Sequence, residues 1–189
     1  MRTMTSGLIT LGFFCALVLF GVTAFNKLRK ADIGAEEALG GIDVQLTRRA
    51  DLIPNLVSTV KGYAEHERGV FEKVTEARAS VSKAAASGSV AEKAIAEAAL
   101  DRALVDVMAV AEAYPDLKAS ANFQQLQSDL KDTEDKLAFA RQFYNDAARV
   151  LNELVKTIPW MFFTGMASVS EREFYKAPDG QESAPTVEF

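Results

Sequence analysis

Apolar residues are arranged along this chain in two ways. From Gly7 to Phe25 (GLITLGFFCALVLFGVTAF) they form a run without charge. Beyond it they recur at every third or fourth residue. Coiled as a helix, the run spans roughly 28 Å, close to the hydrocarbon thickness of a bilayer. It reads as an uncleaved transmembrane anchor (residues 7–25) behind a short tail (residues 1–6). A cleaved signal peptide is the alternative, with Val22-Thr23-Ala24 as a small-residue cleavage site. Against that stand a basic region reduced to Arg2 and a run long for a signal peptide.

The periodic part predicts helices packed along their length. Leu39, Ile42, Leu46, Arg49, Ile53, Leu56, Val60 and Tyr63 form one stripe, continued by Val70, Val74, Ala77 and Val81. Ser87-Gly88-Ser89 breaks it. Ser89 and Glu92 form a capping box that starts a helix through about Ala113, with Ile95, Leu100, Leu104, Val107 and Val110 as its apolar face. Tyr114-Pro115 ends it. A last stripe runs Phe123, Leu126, Leu130, Thr133, Leu137, Ala140, Tyr144, Ala147, Leu151, Val155 and Ile158, capped by Ser120 and stopped by Pro159. Short links imply antiparallel neighbours. The expected fold is all-α: a transmembrane helix, then an elongated antiparallel four-helix bundle over residues 26–159. Pro54 removes a backbone donor and crowds the carbonyl of Ala50. It either kinks one long helix or begins a second.

The tail, residues 160–189, opens on Trp160-Met161-Phe162-Phe163, passes Phe174-Tyr175 and turns at Pro178-Asp179-Gly180. Its aromatic cluster either folds back on the bundle or forms a patch for a partner or the membrane.

With 26 acidic and 21 basic residues the net charge is −5, which argues against a nucleic-acid binder with its basic stripe. Cys15 and His66 are the only residues of their types. A zinc site or a Cys/His catalytic pair is therefore not expected, nor is any cofactor. Lys27, Arg29 and Lys30 follow the anchor and only Arg2 precedes it. The positive-inside rule thus leans toward a carboxyl domain on the cytoplasmic side of the inner membrane, with the opposite orientation open.

Asp43 to Val57 (DVQLTRRADLIPNLV) is the segment that looks most like a site. Arg49 falls on a core position, where a guanidinium is costly unless paired. Glu134, or Asp51 with Gln127, would satisfy it as a polar layer that fixes register. Asn145, Asn152 and Gln127 lie near the last stripe as candidate members of the same network. His66 and Glu67 read as a surface or capping pair. Glu134 and Asp135 are adjacent and do not share a helix face, so no acid/base pair is expected.

These residues resemble the LemA family. The resemblance is carried by Asp43-Val44-Gln45-Leu46, Arg48-Arg49 and Asp51-Leu52-Ile53-Pro54-Asn55-Leu56-Val57. It continues through Val60-Lys61-Gly62-Tyr63 and His66-Glu67, then Leu117-Lys118-Ala119, Asn122-Phe123, Leu126-Gln127, Thr133-Glu134, Ala140-Arg141 and Tyr144-Asn145. Phe174, Ala177, Pro185, Val187 and Phe189 look like the family's carboxyl end. Gly40-Gly41 departs from the usual pattern. The resemblance implies a small membrane-anchored helical bundle without an established enzymatic activity, some relatives being linked to magnetosome membranes.

The expected function is a non-enzymatic scaffold in the bilayer that associates with itself or with other membrane proteins. The alternative is a module binding a small anion or lipid head group in a core lined by Arg49, Asn55, Tyr63 and Tyr144.

Overall fold

The computed structural model describes residues 2–176, with side chains from Gly7 onward. The helices are α1 (Arg2–Lys61), α2 (Arg68–Ala85), α3 (Val90–Glu112), α4 (Pro115–Lys118), α5 (Ala121–Lys156) and α6 (Thr164–Ala167), with a 3-10 turn at Trp160–Phe163. No strand occurs among the described residues. The expected turn at Pro178-Asp179-Gly180, and Ala177, Pro185, Val187 and Phe189, lie outside them. Contacts divide the chain into two units. One is Leu39–Tyr144 with the segment from Phe174, and the other is the chain up to Ala38 with Asn145–Glu173.

The first unit is a four-helix bundle, and its charged pairs give the direction of each helix. Asp43 meets Lys93 and Arg49 meets Asp101, so α1 and α3 run in the same sense. Lys73 meets Asp106 and the Ala84 carbonyl meets Lys93, so α2 opposes α3. Glu97 meets Arg141 and Met108 meets Gln127, so α5 opposes α3 as well. The order is up-down-up-down, as short links between helices favour. Leu46, Leu56, Val74, Val81, Leu100, Val107, Phe123 and Leu137 are fully buried. Each such Leu contributes roughly 1.5–3 kcal/mol relative to exposure.

Pro54 neither breaks α1 nor leaves a gap in it. The helix continues through Pro54 to Lys61. A proline lacks the N–H that the carbonyl four residues earlier would accept. Here that carbonyl belongs to Ala50, which is 1% exposed. The Nε of Arg78, on α2, donates to it at 2.9 Å. Asp51 stands 4.0 Å from the other end of the same guanidinium. A neighbouring helix supplies the hydrogen bond that the proline removes.

Ser89 caps α3, its hydroxyl accepting the Glu92 N–H at 3.3 Å. Of the expected apolar face of α3, Leu100, Leu104 and Val107 are buried, and Ile95 needs correction. Ile95 is 70% exposed, and the buried face is Lys93, Ala96, Glu97, Leu100, Ala103, Leu104, Val107 and Ala111. Two charged residues one turn apart, Lys93 and Glu97, head this face, and a reading of apolar spacing does not report them. Two other stripe positions also fall outside the core. Tyr63 follows the end of α1 and is 46% exposed, and Ile158 follows the end of α5 and is 72% exposed.

In the second unit Leu28 and Ala35 of α1 pack with Leu151 and Leu154 of α5 and with Ala167 and Val169. The chain reverses at Ser168, which adopts the left-handed conformation with φ 51°. The Ser168 N–H donates to Gly165 and the Val169 N–H to Thr164, the paired bonds that close a Schellman turn. The returning strand-like segment is then clasped by Asn152. Its amide donates to the Arg172 carbonyl and its oxygen accepts the Arg172 N–H, both at 2.9 Å. Both polar ends of the buried amide are thus satisfied. The Arg172 guanidinium reaches Asp32 at 2.8 Å.

Candidate functional site: a buried charge layer in the bundle

Arg49 enters the bundle core from α1 and is only 7% exposed. Its guanidinium lies 2.6 Å from Asp101 of α3 and 2.8 Å from Glu134 of α5. Arg141, about two turns further along α5, lies 2.7 Å from Glu134 and 2.9 Å from Glu97 of α3. The Tyr175 hydroxyl closes the layer by donating to Glu97 at 2.6 Å. Glu97 and Asp101 share a face because four residues separate them on one helix. Together the six side chains join three bundle helices to the segment after Phe174.

Distance and alignment differ within the layer. Arg49 and Glu134 stand at ion-pair distance, as do Arg141 and Glu97, yet Glu134 Oε2 and Glu97 Oε1 receive no aligned hydrogen bond among the described residues. These contacts are electrostatic more than directional. The Nε atoms of Arg49 and Arg141 likewise find no hydrogen-bond partner among the described residues.

Three carboxylates face two guanidiniums here, which leaves an excess of negative charge in a layer where Glu97 is fully buried and Asp101 and Glu134 are partly so. Burial, above all, raises the Glu97 pKa, and the nearby Asp101 and Glu134 add to it against the opposing effect of Tyr175 and Arg141. Asp101 is raised for the same first reason, with Arg49 opposing. Burial also holds the Tyr175 hydroxyl far above its ordinary value, and Glu97 reinforces it. That hydroxyl stays protonated and remains a donor. Removing one partner from such a layer leaves an uncompensated charge, which is costly in a buried position.

A second polar contact lies one turn earlier on α3 and nearly two turns earlier on α1. The Lys93 ammonium is fully buried. It contacts Asp43 at 2.5 Å and donates to the Ala84 and Ala85 carbonyls at 3.2 and 3.0 Å. These carbonyls end α2, so the cation also sits at the negative end of a helix dipole.

The structure distributes the sequence candidates unevenly. Arg49 and Glu134 meet in the layer, and Asp43 serves the Lys93 contact. Gln45 is half-buried, with an oxygen that has no partner among the described residues. Arg48 makes a half-exposed pair with Asp132 at 3.7 Å. Asp51 and Gln127 do not satisfy Arg49. Asp51 faces Arg78, and the exposed Gln127 donates to the Met108 sulfur at 3.4 Å. Tyr144 is buried in the bundle. Pro54 and Asn55 are exposed, Asn55 beside Ser58, Asn122 and Gln125 in a shallow depression. Asn145 belongs to the other unit and is half-buried, whereas His66 is exposed. Arg49, Asn55, Tyr63 and Tyr144 therefore do not line one core cavity.

Asp101, Glu97, Arg141 and Tyr175 are the layer residues that sequence reasoning missed as site candidates. The signal was available in part, as Glu97 and Asp101 repeat at a helical interval. Nothing local marked Tyr175. Among the described residues, no group of His, Cys, Asp and Glu is placed to hold a metal ion.

A helical bundle keyed by buried arginines, on a chain whose first helix is long and apolar enough to cross a membrane, defines the class of protein. The sequence model of the LemA family matches residues 38–189, and the chain belongs to that family. It is also similar to magnetosome protein MamQ 1 and MamQ 2 of Paramagnetospirillum magneticum, at 28% identity to each over 74 residues. Each match covers 39% of this chain and 27% of the relative. Magnetosome protein MamQ of Magnetospirillum gryphiswaldense is 28% identical over 79 residues, 41% of this chain and 29% of its own. The matches thus span less than a third of these curated relatives.

Proposed function

We propose that this chain is a non-enzymatic scaffold held in the inner membrane by one transmembrane helix, with its carboxyl domain on the cytoplasmic side. The observation that carries the reading is the state of the bundle's buried charges. Arg49, Arg141, Glu97, Asp101 and Glu134 bind one another, so they specify a packed fold rather than receive a ligand. Family membership and the distant likeness to magnetosome proteins support a membrane-associated role. The surface for association is on α5, where Phe139 and Phe143, one turn apart, are 72% and 57% exposed. Side chains of that size facing outward mark a contact surface for a second copy or for another membrane protein. Anion capture in the core fits less well, because Arg49 is already held between two carboxylates.

Photo-crosslinking from positions 139 and 143 of the full chain in cells tests this. Capture of a second copy or of an integral membrane protein is the expected result. A chain that captures neither and is monomeric in nanodiscs overturns it. The side is read separately, with Cys15→Ala and Lys131→Cys and an impermeant thiol reagent. Protection until lysis is expected, and labelling from outside the inner membrane reverses the orientation.

A further inference from the structure

The unit built on the first part of α1 carries an apolar turn with two sides. On its inner side Trp160 stacks on Phe20, ring centroids 6.2 Å apart, and Phe163 meets Phe20 edge-on at 5.7 Å. The Phe163 ring also lies over Gly21, where a Cβ would meet it at 3.7 Å, an ordinary van der Waals contact. On the outer side Ile158, Met161, Phe162 and Met166 are 72%, 43%, 72% and 61% exposed. That is a concentrated apolar patch on one short segment, and soluble surfaces rarely keep one without a partner.

The partner is indicated by where on α1 the turn is held. Phe20 belongs to the charge-free run, and Lys27 is the first charged residue beyond it. The Lys27 ammonium stands 4.2 Å above the Trp160 ring. Phe20 and Lys27 are separated by roughly 10 Å of helix, and the turn is fixed between them. This is where a spanning helix leaves hydrocarbon for the polar layer, which is roughly 5–8 Å deep on each side of a bilayer. Tryptophan favours that layer, with its ring in the apolar boundary and its N–H toward water. Val22, 53% exposed, continues the apolar surface on α1 itself.

We propose that residues 158–166 form a collar seated in the lipid surface around the end of the anchor. Ile158, Met161, Phe162 and Met166 enter the acyl boundary of that leaflet, and Trp160 lies at head-group depth. The inference rests on the reading of residues 7–25 as membrane-spanning. The collar gives the protein a second grip on the bilayer and sets how far α1 is drawn into it.

The single tryptophan makes the test direct. The full chain is reconstituted into vesicles of phosphatidylcholine and phosphatidylglycerol, floated, and probed with lipids brominated near the head group or near the methyl end. A Trp160→Phe, Phe162→Trp chain repeats the measurement from the outward position. Expected are flotation after carbonate washing and quenching of both tryptophans by the shallow bromines. Iodide in the water should quench neither strongly, and emission from position 162 should be the bluer. Flotation with strong iodide quenching at position 162 and none by bromolipid overturns the collar and leaves the anchor standing. Flotation with both quenchers excluded from position 162 also overturns it, since a protein surface then covers the turn. Failure to float overturns the anchor, and the collar with it.

Discussion

Over Gly7–Phe20 helix α1 buries no side chain, whereas over Leu39–Val60 it buries one at every third or fourth position. The two stretches belong to one continuous helix and use the same residue types, yet they solve different problems. The first is apolar all round, with Leu8, Phe13, Leu17 and Leu19 each more than half exposed. Hydrophobicity without periodicity gives no protein neighbour a preferred face, so it selects a solvent. The second confines its apolar residues to one stripe and interrupts it with Arg49. Periodicity selects neighbours, and the buried charge selects among their registers. Amount of hydrophobic residue thus says where a helix resides, and spacing says what it packs against.

The largest effect that would break this comparison lies at Arg49. Arg49→Ala leaves Asp101 without its cation and Glu134 with Arg141 alone, and is expected to destabilise the bundle by about 3–5 kcal/mol. Replacing Arg49, Asp101 and Glu134 together by Leu or Met should restore most of that. Thermal unfolding of the full chain in micelles, followed by circular dichroism, reads both. A loss below ~1 kcal/mol for the single change, the scale of an exposed pair, would show that the layer specifies nothing.

The same substitution on each half of α1 sharpens the contrast. Leu17 and Val44 are 52% and 62% exposed. Leu17→Arg should disfavour membrane insertion by about 2.5–3.5 kcal/mol, while Val44→Arg, facing water, should stay within about 0.5 kcal/mol in bundle stability. Carbonate extraction and thermal melts measure the two. Equal behaviour of the two variants would mean that both halves meet the same solvent.

A smaller effect tests how α1 remains one helix. Arg78→Ala strands the buried Ala50 carbonyl and should cost about 1–3 kcal/mol. In a Pro54→Ala chain that carbonyl regains the N–H of residue 54, and Arg78→Ala should cost clearly less. Equal costs in the two backgrounds would separate Arg78 from the proline.

Much of this architecture was legible as spacing. The stripes through Leu39–Val60 and Phe123–Leu151 correspond to buried faces because apolar residues there repeat with the helix. The reading failed where polar residues occupy the core. Lys93 and Glu97 are buried, and without them the inferred face of α3 joined exposed Ile95 to the buried Leu100, Leu104 and Val107. Glu134 was legible as a partner of Arg49 because it lies beside the stripe of α5. Asp101 was not, since the inferred face did not include it. Pro54 pointed to the Ala50 carbonyl and left a kink or a break open, but that Arg78 supplies the missing donor was not legible, since local sequence does not bring it near. Tyr175 joins the layer across a long stretch of sequence, and no periodicity reports such a contact.

Tyr175 also bears on the order in which the protein is made. The four bundle helices leave the ribosome before it, so while the chain is still being synthesised the Glu97 carboxylate has Arg141 but lacks its hydroxyl donor. The layer becomes complete only once residue 175 has been added, after all four bundle helices. A chain cut just before residue 175 carries every helix of the described residues and still contains a buried, underprovided acid, a local weakness that sets it apart from a chain that includes Tyr175.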